Sequence, residues 1–171
     1  MAQQQTQTQT QTQQPNEIKS LIVIKVRGTI SARRETRETL ELLRLTHTNH
    51  AILIDSRPAY KGMLQRVNNY VTWGEPTKET VIALLEKRGR LAGDKKLAEH
   101  LAITGYQTID ELADDILSGK VAYKNLPAIE ARFKLHPPSK GYHGAIKKSF
   151  RTGGESGYRG EAINDLVKRM I

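Results

Sequence analysis

Between residues 20 and 74, three short apolar runs alternate with two helical patterns, and this alternation constrains the fold more than any other feature of the chain. Residues 20–27 set Ile22, Ile24 and Val26 on one face and Lys25 and Arg27 on the other, the two-residue period of a strand. Leu21 and Val23 make both faces partly apolar. Residues 34–46 carry Leu40, Leu42, Leu43 and Leu45 beside glutamates and arginines, which predicts an amphipathic helix after the loop at Gly28. Residues 51–55 read as a second strand, and Arg57-Pro58 then breaks the chain. A helix over 60–69 with Met63, Leu64 and Val67 inward and a strand over 70–73 complete a β-α-β-α-β order before Gly74 and Pro76.

The next segment reads as helical. Residues 77–88 place Val81, Leu84 and Leu85 on one stripe, and 94–102 do the same with Leu97, Ala98 and Leu101. Residues 108–117 open with Thr108 and Glu111 as a capping box. Residues 141–160 hold six of the thirteen glycines, interleaved with Tyr142, Phe150 and Tyr158, and 161–171 read as a closing helix. At the other end, residues 1–16 are almost entirely Gln and Thr and cannot offset the entropy of being ordered, so they are expected to be a disordered tail. The expected organisation is this tail, a β-α-β-α-β core at 17–76, a helical extension at 77–135, and a basic glycine-rich segment with a final helix at 136–171.

Charge is distributed unevenly over these segments. Residues 17–74 carry ten basic and five acidic side chains, 75–135 ten and ten, and 136–171 seven and three. The two flanks therefore supply the formal charge of +9, which favours polyanionic partners. The absence of cysteine excludes disulfides, thiolate metal sites and cysteine nucleophiles. No run of 18 apolar residues and no basic-then-apolar leader is present, so neither a membrane span nor a signal peptide is expected, and a cytoplasmic location is.

Two groups of side chains suit phosphate contact. Arg33, Arg34 and Arg37 follow Arg27 where the first strand hands over to the first helix, and arginine can grip phosphate oxygens bidentately. Glu35, Glu38 and Glu41 lie among them and could form surface pairs instead. Arg57, Lys61 and Arg66 lie on the face of the 57–66 peptide opposite the inward Met63, Leu64 and Val67. The glycine-rich segment adds Lys140, Tyr142, His143, Lys147, Lys148, Arg151 and Arg159, where glycines let backbone approach phosphates and aromatics can stack on unpaired bases.

Competing chemistry is weaker. Gly154, Gly157 and Gly160 precede a helix, but residues 147–152 make a poor strand and no Gly-Lys-Ser/Thr element exists, so a nucleotide cradle is not expected. His47 and His50 are three apart without a carboxylate at ligand spacing, and no metal or other cofactor is expected. Asp55, ending a strand, could serve an enzyme acting on RNA but is expected to cap or to pair with Arg57. Residues 94–117 resemble a helix-turn-helix in outline, the basis of an alternative reading as a nucleic-acid-binding regulator. Its second helix carries Asp110, Glu111, Asp114 and Asp115 with no basic residue, and a DNA groove would repel it.

Four motifs, in this order and spacing, give a resemblance to a known family. They are Arg-Pro-Ala-Tyr-Lys-Gly-Met-Leu-Gln-Arg-Val at 57–67, Tyr-Val-Thr-Trp-Gly-Glu at 70–75, His-Pro-Pro-Ser-Lys-Gly-Tyr at 136–142 and Gly-Gly-Glu-Ser-Gly-Tyr-Arg-Gly-Glu-Ala-Ile-Asn at 153–164. Residues 19–171 resemble the large-subunit ribosomal protein thirty family in its long archaeal and eukaryotic form, called protein seven in eukaryotes. The tail lacks the basic N-terminal extension of eukaryotic members, which favours an archaeal source. The resemblance implies an α+β fold of ferredoxin-like type: a small antiparallel three-stranded sheet with two helices on one face, plus a mostly helical C-terminal extension. It also implies a ribosome-bound structural protein, without enzymatic activity or small-molecule substrate. Its partners would be large-subunit ribosomal RNA, including or close to the 5S RNA, and other ribosomal proteins.

Overall fold

Strand β1 (Ser20–Lys25) lies at the centre of the sheet because both of its faces are apolar, and every residue in it is buried. In the computed structural model, which describes residues 19–171, it pairs antiparallel with β2 (His50–Asp55) on one side and β3 (Val71–Gly74) on the other. The Gln/Thr-rich tail at 1–16 lies outside the described residues. Helices α1 (Arg34–Leu42) and α2 (Pro58–Arg66) connect these strands, which gives the β-α-β-α-β order read from the sequence. Pro58 takes the first helical position, where its missing N–H has no partner to lose, and so α2 begins two residues before the expected start.

Alternate residues of β1 feed two cores. Leu21 and Val23 pack with Leu40 and Leu43, Ile52 and Ile54, and Leu64 and Val67, which seats α1 and α2 on one face of the sheet. Ile22 and Ile24 face the other way. There they meet α3 (Lys78–Arg88) through Val81, Leu84 and Leu85, α4 (Ile109–Leu117) through Leu112 and Ile116, and α5 (Ile163–Met170) through Leu166, Val167 and Met170. Each such side chain contributes roughly 1.5–3 kcal/mol of burial. The face opposite α1 and α2 is thus covered, and the sheet is the middle of three layers.

The sheet is larger than the three strands expected. Its order is β4-β2-β1-β3-β6-β5, with β4 (Arg132–Lys134) added antiparallel to β2. On the opposite side β6 (Gly154–Tyr158) lies parallel to β3, and β5 (Ala145–Ser149) lies parallel to β6. The glycine-rich segment is therefore an integral edge of the sheet. All three segments distinguished by charge contribute strands to it.

The mostly helical extension also needs correction. Residues 94–102 do not form a helix: Gly93 and Asp94 both have positive φ, and Arg90 bridges to Lys96. Two short 3-10 turns, Leu97–Glu99 and Leu101–Thr104, follow instead. The helix-turn-helix outline fails for lack of its first helix. In α1, Leu42 points outward and is 75% exposed while its neighbours Leu40 and Leu43 are buried.

Candidate nucleic-acid interface

Strand direction sorts the basic side chains into two groups at opposite ends of the sheet. At the end where β1 finishes, Arg27 follows the strand and Arg33 and Arg34 open α1, while Arg66 closes the antiparallel-running α2. Arg33, Arg34, Arg37 and Arg66 are exposed. Arg27 is half-buried, its guanidinium carbon 5.2 Å from the centre of the Tyr70 ring. Arg34 pairs with Glu38 at 2.6 Å on an open helix face, an interaction worth a fraction of a kcal/mol at about 0.3–0.5.

At the other end lie the residue before β1, the turns after β2, β3 and β5, and the last residue of β6. This topology gathers Lys19, Arg57, Lys61 and Arg151 from three separate stretches of sequence. Arg57 Nε lies 3.3 Å from the buried Asp55 carboxylate, the pairing anticipated for that acid. Lys19, Lys61 and Arg151 line a cleft of about 450 Å3 together with Leu21, Ser56, Leu64, Gln65, Trp73, Glu75 and Tyr158. Trp73 and Tyr158 lie side by side in it with ring centres 6.4 Å apart and planes tilted at 51°. The Tyr158 hydroxyl donates to both oxygens of Glu75, at 2.9 and 3.0 Å. The Glu75 carboxylate beside it pushes the phenol pKa up. Lys19, Gln65, Trp73 and Glu75 escaped the sequence reading because their neighbours in the cleft are remote in the chain.

Between the two ends, Lys147 and Lys148 stand exposed on the edge strand β5. Lys140 is exposed in a left-handed backbone conformation at φ 63°. His143 is exposed with Nε2 2.8 Å from Arg169, and the half-buried Tyr142 donates its hydroxyl to Asn49 Oδ1 at 3.2 Å. Burial pushes the Tyr142 phenol pKa up, so the hydroxyl keeps its proton to donate.

Arg159 does not belong with the surface set. Its side chain is 5% exposed and donates to Glu155 Oε2 at 2.5 Å, to the Glu155 carbonyl at 2.9 Å and to Thr72 Oγ1 at 3.1 Å. The Phe150 ring lies over the same guanidinium at 4.6 Å, so that aromatic is also engaged internally. Burial alone would raise the Glu155 carboxyl. The Arg159 hydrogen bond and the Gly144 N–H outweigh it and hold the acid below the usual range. Lys25, read as part of the basic face, is likewise buried, with Nζ donating to the carbonyls of Leu45 at 3.1 Å and Thr46 at 2.6 Å.

The alternative chemistries find little support in the geometry. His47 and His50 meet edge to face at 5.2 Å, and burial followed by the nearby Arg132 lowers the His50 pKa. No group of three His, Asp or Glu side chains is placed to hold a metal ion among the described residues. Among the same residues no helix is long and apolar enough to cross a membrane. The outer face of α4 carries Asp110, Glu111 and Asp114, the last paired with Lys78 at 2.8 Å, which repels nucleic acid.

Comparison with known proteins bears on the same core. The family model for ribosomal protein L30p/L7e matches residues 21–71. A protein of Thermofilum pendens named large ribosomal subunit protein uL30 is 45% identical over 152 residues, spanning 88% of this chain and 97% of that protein. Proteins of the same name from Methanococcus vannielii and Methanopyrus kandleri are each 44% identical, covering 97% and 100% of their own lengths and 87% and 85% of this chain. Identity at this level extends well past the matched β-α-β-α-β core into the added strands and α5, and the chain belongs to the ribosomal protein L30p/L7e family.

Proposed function

We propose that the protein is a structural constituent of the large ribosomal subunit, bound in the cytoplasm to folded ribosomal RNA through backbone phosphates and shape. The observation that carries this is the state of its cations. Arg33, Arg37, Lys61, Arg66, Lys140, Lys147, Lys148 and Arg151 are exposed, and none has a carboxylate within ion-pair distance among the described residues. In the charge-balanced middle segment, by contrast, six of the ten cations, Lys78, Arg90, Lys96, Lys120, Arg132 and Lys134, have carboxylate partners. Unpaired surface cations on two ends and one edge of a rigid sheet suit the phosphates of an A-form junction, whose deep groove hides its base edges. Arg34 and Arg57 contribute with part of their donors already engaged by carboxylates and Arg27 with its guanidinium against the Tyr70 ring, and Tyr142 and His143 order the loop that presents Lys140. The protein acts as a scaffold and turns over no substrate. The contacted RNA includes or adjoins the 5S RNA, with other ribosomal proteins alongside, a part of the proposal that rests on family resemblance alone.

The test is co-sedimentation of the N-terminally tagged protein with the large subunit through gradients at moderate and then high salt. Retention at both is expected, with crosslinks from Arg33, Arg34 and the 140–151 stretch to RNA, some of them 5S. Free protein at both salts overturns the ribosomal assignment, and crosslinks confined to α4 overturn the interface.

A further inference from the structure

We infer that the cleft between β1, α2 and the end of β6 takes one unpaired nucleotide of the bound RNA, with its base against Trp73 and Tyr158 and its phosphate at Lys61 and Arg151. This deepens the RNA-binding proposal and rests on it. At about 450 Å3 the cleft falls within the roughly 300–1,000 Å3 of sites that enclose small ligands, and Leu21 and Leu64 give it an apolar floor. The two rings are tilted at 51° and do not stack on one another, so neither covers the other's face. Tyr158 is 44% exposed, yet its ring is fixed by the paired bonds to Glu75 and has little freedom to lose on binding.

The charge pattern fits one nucleotide. Lys61 and Arg151 are exposed without a carboxylate partner among the described residues. Glu75, the single carboxylate in the lining, is occupied by the Tyr158 hydroxyl. Gln65 and Ser56 also line the cleft, with amide and hydroxyl groups that can meet a base edge. A base in an A-form duplex is already stacked on both faces, so only a looped-out or single-stranded nucleotide can enter.

Trp73 is the chain's only tryptophan, and its emission reports on this cleft alone. The full-length protein is titrated with a large-subunit ribosomal RNA transcript, a short single-stranded oligoadenylate, an RNA duplex of equal charge, and adenosine monophosphate, with occupancy followed separately by filter binding or equilibrium dialysis. Saturable quenching by the transcript and the single strand is expected, with none by the duplex at equal occupancy. Tyr158→Ala is expected to weaken single-strand binding about tenfold, while Tyr158→Phe, which keeps the ring but loses the hydroxyl that fixes it and engages Glu75, is expected to weaken it by a smaller factor. Arg151→Ala should weaken binding without lowering the quenching at saturation. Transcript binding that leaves Trp73 emission unchanged overturns the cleft while the RNA-binding proposal stands. Equal quenching by the duplex does the same. Adenosine monophosphate binding as tightly as the oligonucleotide makes this a free-nucleotide site and overturns RNA as its occupant. Failure of the transcript to bind at all overturns both proposals. Should Tyr158→Ala not fold, the wild-type emission titrations decide alone.

Discussion

Glu155 and Arg159 are the ion pair on which the glycine-rich edge depends, because both side chains are buried and each satisfies the other. Glu155→Gln leaves the guanidinium charge inside without a counter-charge, and breaking a buried pair in this way costs about 3–5 kcal/mol. The wild type should therefore unfold in urea at neutral pH with that much more stability than the variant. The Glu155 carboxyl is held below its ordinary range, so the stability it contributes is present above the unfolded carboxyl pKa and lost as pH falls through the folded value. The gap between wild type and variant must accordingly shrink under acid, and a constant gap from pH 7 to pH 3 would remove the pair from the account. Lys25 has the opposite sign. Burial lowers its pKa, so the unfolded chain holds the proton more tightly, and wild-type stability relative to Lys25→Met should rise with pH through the window below the unfolded lysine pKa. Urea titrations of both proteins at neutral and alkaline pH check this, and a falling difference contradicts it. Neither burial was legible in the sequence. Lys25 sits at an alternating position and Arg159 among other tail basics, and only the loop after α1, which holds Lys25, and the added strand β6 beside β3, which carries the chain to Arg159, decide that they turn inward. Asp55 with Arg57 was legible, since two residues around a strand end meet whatever the rest of the chain does.

The five α-helices and the first three strands were readable because each carries its own period. α3 keeps Val81, Leu84 and Leu85 on one stripe, and α4 keeps the cap in which Thr108 Oγ1 accepts from the Glu111 N–H at 3.3 Å. The three further strands carry no such signal. β4 has three residues, β5 is Lys-rich, and β6 has two glycines in five positions, so their extended state comes from ladder partners supplied by distant sequence. The same dependence on context removed the expected helix at 94–102, where the left-handed Gly93 and Asp94 turn the chain back on itself. Gly154 is where the edge is most vulnerable. A Cβ there would run into the carbonyl and Cβ of Lys148 on β5, and backbone cannot yield as a side-chain tip can. Gly154→Ala should separate β5 from β6 while leaving the β1–β2 pairing intact. Hydrogen exchange by mass spectrometry would show faster exchange over 145–149 with unchanged protection over 20–25 and 50–55. Uniform acceleration across the sheet would mean that the edge and the core are one cooperative unit, contrary to this expectation.

At the scale of the whole molecule, three segments with unequal charge share one sheet, and the sheet fixes where their fields point. The acidic outer face of α4 and the paired lysines around it belong to the layer that covers one face, while Arg33, Arg34 and Arg37 belong to the layer on the other. The net charge alone could announce a polyanion, but the sidedness required the strands that composition did not disclose. That sidedness has a measurable consequence in salt. Each phosphate neutralised on binding releases counterions, so the slope of log affinity against log salt falls by about one for every contact removed. Replacing Arg33, Arg34 and Arg37 together by Gln should flatten the slope for a large-subunit ribosomal RNA transcript by about two to three and weaken binding most at low salt. Arg34 gives the smallest share, because Glu38 already holds part of its guanidinium. Lys96→Gln, which removes a cation paired with Glu99 in the balanced segment, should leave the slope where it was. If the Lys96 variant flattens the slope and the triple variant does not, RNA approaches from the α4 side. The two ends and edge described above would then be solvent-facing surface with no part in the ribosome.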